Sequence, residues 1–185
     1  MKNDYISDIH KKDKLILHPY EDLKERGTYN RKLIVKSDNI YLYDEDGKRY
    51  IDGPGGMWCN NIGHGNREIA EAIKLQIEKM DYCSPFSESN ETSAELASVL
   101  SELSPGDLNT VFFTPDGSSA NETALRFVML YNNLLGRPEK KHIISRDRAY
   151  HGSTYLTASI SGKDREENNF DFEKNFIHHV GSPNP

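Results

Sequence analysis

The chain has 185 residues, with 23 basic and 29 acidic side chains and a formal net charge of −6 at pH 7, so it lacks the basic balance that nucleic-acid binding needs. Its longest apolar run, residues 127–131, is far shorter than the roughly 20 residues that cross a bilayer, and its polar N-terminus is unlike a secretory signal. Two cysteines are too few for a disulfide scaffold, so we expect a cytoplasmic globular protein of one domain, or of one domain with a small appendage.

The first half of the chain begins with a polar stretch and continues with alternating residues. Residues 1–30 predict an N-terminal arm with one or two short helices. The alternation that follows, with Asp46-Gly47 as the hairpin signal, predicts short antiparallel strands at 33–36, 40–44 and 49–52. The glycine-rich stretch 53–65 also holds Met57, Trp58 and Cys59. Such residues favour burial or a ligand, which argues against plain disorder there.

Two helices are predicted next. Apolar residues three or four apart, from Ile69 to Met80, indicate an amphipathic helix that Asn66 would cap. A second helix is expected over about 90–103, with Thr92 and Glu95 at capping-box spacing. Its inward residues would be Leu96, Val99, Leu100 and Leu103.

The second half of the chain has the pattern strand, helix, strand. Residues 111–113 predict a short buried strand, and residues 120–135 predict a helix that Gly136 and Pro138 terminate. The helix carries Ala124, Phe127, Val128, Tyr131, Leu134 and Leu135 on a shared face. A further strand opens at His142. This order predicts an α/β fold in which a parallel sheet is covered by helices.

The segment 114–122 joins the predicted strand to its helix and carries the first chemical signal. Unpaired backbone N–H groups and the positive end of the helix dipole favour an anion at a helix start. Gly117 lets the backbone approach such a group, and Ser118 and Ser119 add hydroxyl donors. The alternative is structural, because Ser119 and Glu122 have capping-box spacing, which needs no ligand.

Tyr150-His151-Gly152 follows the next strand. The carboxyl ends of adjacent parallel strands line one crevice, where an aromatic side chain can lie flat on a planar ligand. The alternative is a tyrosine at the edge of the core beside a solvated histidine. Taken with the 114–122 segment, the pair suits a small aromatic phosphate ester.

Three segments in register resemble the class III aminotransferases that depend on pyridoxal phosphate, nearest the omega-amino-acid or amine:pyruvate group. They are YLYDEDGKRYID (41–52) with GGMWCNNIGHG (55–65), then GSSANETA (117–124), then AYHGST (149–154). The resemblance extends from about 15 to 180. It implies the fold-type I transferase fold. Residues 1–65 would form the N-terminal arm and a small-domain segment, and residues 66–185 the beginning of the large cofactor-binding domain.

The resemblance also implies the residues that bind pyridoxal 5'-phosphate. Gly117, Ser118 and Ser119 would hold its phosphate, Tyr150 would stack on its pyridine ring, and His151 would lie beside it. This sequence has Ser119 where many members of the family carry glutamate. A phosphate contact made by the backbone tolerates that difference.

Substrate residues follow from the same resemblance. Trp58 would form one wall of the substrate pocket, and Tyr20 would contribute from the N-terminal arm. Phe86 would reach the active site of the partner subunit, because the family builds its sites across a homodimer interface. The amino donor would be an amine or an omega-amino acid, and the acceptor an oxo acid such as pyruvate.

The resemblance leaves three decisive groups unmatched. The lysine that holds the cofactor covalently, the aspartate that pairs with the pyridinium nitrogen and a phosphate-contacting threonine would lie beyond Pro185. We therefore expect the N-terminal part of an aminotransferase, inactive by itself. The alternatives are a non-catalytic fragment, or a decarboxylase or aminomutase of the same fold. A Rossmann-type nucleotide binder is disfavoured by the missing glycine fingerprint.

Overall fold

A computed structural model describes residues 2–162 and 170–183. The chain divides into two compact units, Met1–Ser89 and Asn90–Pro185. The predicted assignment of residues 1–65 and 66–185 to the two domains of the family stays a prediction. Among the described residues, no helix is both long and apolar enough to cross a membrane.

The first unit holds a helix and a three-stranded antiparallel meander. Helix α1 covers Lys2–Asp13, and the strands are β1 (Ile34–Asp38), β2 (Tyr41–Asp44) and β3 (Arg49–Ile51), in the order β1-β2-β3. All three predicted strands are confirmed to within two residues. A short turn, α2 (Gly55–Trp58), and helix α3 (Arg67–Lys79) follow.

Asp44 explains why the β2–β3 hairpin turns where Asp46-Gly47 predicts. Its Oδ1 accepts hydrogen bonds from the backbone N–H groups of Asp46 (3.1 Å) and Lys48 (2.8 Å), and its Oδ2 accepts one from the Tyr50 hydroxyl (2.7 Å). Gly47 takes a φ of 82°, which glycine adopts without steric cost. The Tyr50 hydroxyl is the main reason that the pKa of Asp44 lies below its usual value.

The start of α3 is confirmed, whereas the predicted capping box of the next helix is wrong. Asn66 caps α3 by accepting a hydrogen bond from the backbone N–H of Ile69 at 3.0 Å. Helix α4 covers Glu91–Leu103 and belongs to the second unit. Its cap is Asn90, in extended backbone, which accepts from the backbone N–H of Ser93 at 2.8 Å. Thr92 already lies inside the helix, so it cannot be the capping residue.

The second unit continues with helix α5 (Gly117–Leu134), strand β4 (Ile143–Arg146), helix α6 (Tyr155–Ile160) and strand β5 (Ile177–Val180). Strands β4 and β5 pair in parallel, with Ile143 opposite Ile177. The predicted α/β class is confirmed by this parallel pair. The strand predicted at 111–113 is wrong, because a strand needs a hydrogen-bonded neighbour and no described segment pairs with it.

The apolar core lies in the second unit. Leu156, Ile160 and Ile177 are buried there, and Leu125 of α5 packs against them together with Met129, Ile143 and Phe176. Helix α5 therefore faces this core through Leu125 and Met129 and not through the predicted face. The residues predicted to point inward from α4 are exposed. An apolar stripe is buried only where another element covers it, and none does so for α4 among the described residues.

Candidate functional site

Asp116 caps helix α5 at the point where the sequence predicts an anion site. Its backbone is extended, its Oδ1 accepts a hydrogen bond from the backbone N–H of Ser119 (2.8 Å), and its Oδ2 accepts one from the Ser119 hydroxyl (2.9 Å). The predicted Ser119–Glu122 capping box is therefore wrong. These bonds lower the pKa of Asp116, the backbone N–H of Ser119 being the largest cause. The carboxylate is thus ionised at neutral pH, and both donors of Ser119 are directed at it.

The loop after β4 meets this helix start, as the sequence predicts. The backbone N–H of Ser153 donates to Ser118 Oγ at 3.1 Å, and the Tyr150 hydroxyl lies 2.9 Å from Ser153 Oγ. Tyr150 remains 58% exposed, so its ring is accessible beside the start of α5. The structure therefore brings Ser118 and Tyr150 into one cluster through Ser153, although residues 111–113 are not a strand.

His151 is held by its backbone on both sides. Its carbonyl accepts a hydrogen bond from Asn121 Nδ2 at 2.7 Å, and its N–H donates to Ser161 Oγ at 2.9 Å. Asn121 lies one turn into α5, so this bond fixes the distance between the helix start and the Tyr150 loop. These two bonds hold the backbone of His151 next to Tyr150, and its predicted place beside the cofactor stays a prediction.

Gly152 is the tightest point of the cluster. Its φ is +143°, and a Cβ there would overlap Thr157 Oγ1 and lie 2.8 Å from Ser118 Oγ. Few L side chains adopt this backbone angle, so both the space and the dihedral angle require glycine. The loop can therefore reach Ser118 only because residue 152 has no side chain.

A hydroxyl network that was not predicted from the sequence lies beneath the loop. The Thr154 hydroxyl donates to Glu122 Oε2 at 2.6 Å and lies 2.7 Å from Thr157 Oγ1, which also accepts from the backbone N–H of Thr154 at 3.1 Å. Thr157 is fully buried. The spacing of Thr154 and Thr157 suits a cap of α6 and is the signal that could have located them. The partner that Glu122 takes was not predictable, since it lies 32 residues away.

Gly117 differs from Gly152 in its surroundings. A Cβ at Gly117 would meet no atom of the chain within 4 Å, so packing does not demand glycine there. A Cβ would instead extend into the open space at the start of α5. We call residues 117–119 the cradle; the helix dipole, the open space at Gly117 and Ser118 Oγ suit an anion, whereas both donors of Ser119 are directed at Asp116.

The predicted substrate residues lie on three segments of the first unit. Trp58 ends the α2 turn and is 76% exposed, Tyr20 lies after α1 and is 77% exposed, and Phe86 lies in the loop after α3 and is 99% exposed. Met57 and Trp58 have φ angles of 59° and 68°. A left-handed backbone costs about 1–2 kcal/mol in a residue with a side chain, so this turn is strained at the tryptophan.

Sequence comparison defines the family of the chain, and solved structures define its fold. Residues 24–183 match the family Aminotransferase class-III, and the chain belongs to that family. The diaminobutyrate–2-oxoglutarate transaminase of Halomonas elongata is 38% identical over 173 residues, which are 92% of this chain and 37% of that protein. The putrescine–pyruvate aminotransferase of Pseudomonas aeruginosa is 33% identical over 90% of this chain and 37% of that protein.

Solved structures confirm the predicted fold class. An (S)-enantioselective omega-transaminase of Thermomicrobium roseum superposes with a TM-score of 0.90 at 35% identity, over 96% of this chain and 40% of that chain. The omega-transaminase of Pseudomonas jessenii in complex with PMP gives 0.90 at 36% identity, over 95% and 39%. The chain thus spans about two fifths of the length of these relatives.

Proposed function

We propose that this chain is the cofactor-anchoring part of a transaminase that moves an amino group from an amine or omega-amino acid to an oxo acid such as pyruvate. The cofactor would be pyridoxal 5'-phosphate. Membership in the family supports the class of reaction. The observation that carries the proposal for this chain is the cluster in which the Tyr150 loop meets the cradle through the Ser153–Ser118 hydrogen bond.

The residues present fit the cofactor. The cradle offers a helix N-terminus, a serine hydroxyl and a glycine where a Cβ would occupy open space, which suits a phosphate. Ser118 would donate to that phosphate, Tyr150 would cover one face of the ring, and His151 would lie beside it. When bound, pyridoxal phosphate supplies the aldehyde that carries the amino group and a ring that delocalises negative charge.

The chain's own contribution would be binding and orientation. Asn121 and Gly152 hold the Tyr150 loop against α5, so the tyrosine ring would be positioned before the cofactor arrives. Pre-ordered residues avoid part of the entropy cost of binding. Asp116 accepts two hydrogen bonds from Ser119, which fixes the first turn of α5.

Trp58 and Tyr20 would line the pocket for the amino donor. Phe86 would extend into the active site of the partner subunit in a homodimer, and its almost complete exposure is compatible with a contact outside its own chain. The Pseudomonas jessenii transaminase supports this proposal, because a variant with a substituted tryptophan, phenylalanine and arginine was engineered for the synthesis of enantiopure bulky amines.

Binding of pyridoxamine 5'-phosphate to the 185-residue chain tests the cradle, because this form needs no lysine. Calorimetry should show Ser118→Ala weakening the affinity about tenfold or more, since a hydrogen bond to a charged acceptor contributes about 1.5–3 kcal/mol. Tyr150→Ala should weaken it through lost stacking, whereas Tyr150→Phe should not. Ser98→Ala, an exposed serine in α4, is the matched control.

Two results would reject the proposal. One is equal affinity for pyridoxamine without phosphate, which would mean that the cradle does not bind the phosphate. The other is an equal loss for Ser118→Ala and Ser98→Ala. A Trp58→Ala variant should retain the parent affinity, because the indole is assigned to the amino donor and not to the cofactor.

A further inference from the structure

The turn that presents Trp58 is left-handed over its whole length. Gly55, Gly56, Met57 and Trp58 have φ angles of 55°, 59°, 59° and 68°. The turn is closed by a hydrogen bond from the Trp58 N–H to the Pro54 carbonyl at 2.9 Å. The Gly55 carbonyl accepts a second one from the Asn60 N–H, also at 2.9 Å. Two residues with side chains do not adopt this backbone by preference, so another group must stabilise it.

Asp52 is that group. Its Oδ2 lies 2.9 Å from His64 Nε2, and its backbone carbonyl accepts the Gly55 N–H at 3.1 Å. The pKa of Asp52 lies below its usual value because His64 hydrogen-bonds to the carboxylate, and the backbone N–H of Gly56 adds to the effect. The side chain of Asp52 is almost fully buried. Asp52 thus contacts His64 through its carboxylate and the first residue of the turn through its backbone carbonyl.

Both residues of this hydrogen-bonded pair are fixed to the antiparallel sheet. The Asp52 N–H donates to the Ile40 carbonyl at 2.8 Å. The backbones of His64 and Asn39 exchange two hydrogen bonds, of 2.7 and 3.1 Å. A Cβ on Gly63 would lie 2.7 Å from Asn39 Oδ1, and the φ of Gly63 is +85°, so a side chain here would be strained. The pair is therefore attached to the sheet at both of its residues, and the turn lies between them along the chain.

We propose that Asp52, paired with His64, is a positioning residue that holds the Gly55–Trp58 turn in its left-handed form and thereby sets the direction of the Trp58 indole. Its consequence for catalysis rests on the proposed function, which assigns Trp58 to the amino-donor pocket. The geometry of the turn stands without that assignment. The range of amino donors that the pocket admits would then depend on Asp52, although Asp52 itself would not contact the substrate.

Trp58 is the only tryptophan of the chain, so fluorescence excited at wavelengths that tyrosine does not absorb reports on this turn alone. Asp52→Asn removes the charge, and His64→Gln removes the imidazole but keeps a donor. Both should lower the fluorescence anisotropy of Trp58 and raise its quenching by acrylamide. Amide exchange at Trp58 and Asn60 should accelerate about tenfold or more, the change expected when a hydrogen bond to a charged group is lost. Asp38→Asn, an exposed aspartate of the same sheet, should change none of these.

Far-UV circular dichroism checks that each variant keeps its fold, and His64→Gln serves if Asp52→Asn does not fold. The proposal is overturned if a folded variant of either residue has the parent's anisotropy, quenching and exchange, or if Asp38→Asn changes them as much. A separate arm measures amine preference in the transaminase that contains this chain. Loss of Trp58 ordering in Asp52→Asn, with amine preference unchanged in Trp58→Leu, would reject the role of Trp58 and leave the positioning role of Asp52 standing.

Discussion

Replacing Gly152 with alanine is the most demanding test of the cluster. The added Cβ would overlap Thr157 Oγ1, and Thr157 is fully buried, so it has no open space to move into. Overpacking a well-packed site costs about 1–3 kcal/mol. A φ of +143° in a residue with a side chain adds about 1–3 kcal/mol. We expect a loss of about 2–6 kcal/mol in the free energy of unfolding.

Urea unfolding followed by circular dichroism measures this loss, and two other glycines provide the comparison. Gly181→Ala and Gly117→Ala each add a Cβ that meets nothing within 4 Å, and neither residue has a positive φ. Both should unfold within about 1 kcal/mol of the parent, since a compatible Gly→Ala change stabilises by about 0.4–1 kcal/mol. Gly117→Ala should nevertheless weaken binding of pyridoxamine phosphate. Equal stability of Gly152→Ala and Gly181→Ala would refute the packing argument.

Three further substitutions follow from the hydrogen bonds. Asp116→Ala should destabilise the chain by about 0.5–2 kcal/mol through loss of the α5 cap, whereas Asp116→Asn should cost little, as urea unfolding would show. Since the pKa of Asp44 is lowered by the Tyr50 hydroxyl, its contribution is complete above its ordinary pKa and lost as the pH falls through the folded value. The stability difference between the parent and Tyr50→Phe should therefore shrink on going from pH 5 to pH 2. Asn121→Ala should cost about 0.5–1.5 kcal/mol and increase amide exchange at Gly152, because the His151 carbonyl loses its donor.

Local chemistry was predictable where a single short segment determines it. The β2–β3 hairpin follows from alternation and Asp46-Gly47, because Asp44 and Gly47 satisfy the turn within five residues. The cap at Asn66 is of the same kind. The cap of α4 was not predictable in this way, because asparagine and threonine both favour the capping position and only the backbone angle selects Asn90 over Thr92.

Features that depend on a distant partner were predicted less well. Residues 111–113 have the composition of a strand, but a strand exists only beside another strand. The face that α5 turns to the core is set by α6, and so Leu125 and Met129 are partly buried while Phe127 stays half exposed. In the candidate site, Ser118 and Tyr150 were expected to meet because each would follow a parallel strand; they do meet, although only Tyr150 follows one, β4. The Glu122–Thr154 hydrogen bond joins residues 32 apart and has no local signal.

The exposed apolar faces of α3, α4 and α5 bear on how such a protein is made. All three helices emerge from the ribosome with these faces exposed, because no residue that the structure describes covers them. In relatives of more than twice this length, the rest of the chain emerges at about 5–20 residues per second. Nascent chains would therefore expose the apolar faces of these helices for on the order of ten seconds. Lower growth temperature and added chaperones should accordingly raise the soluble yield of such proteins.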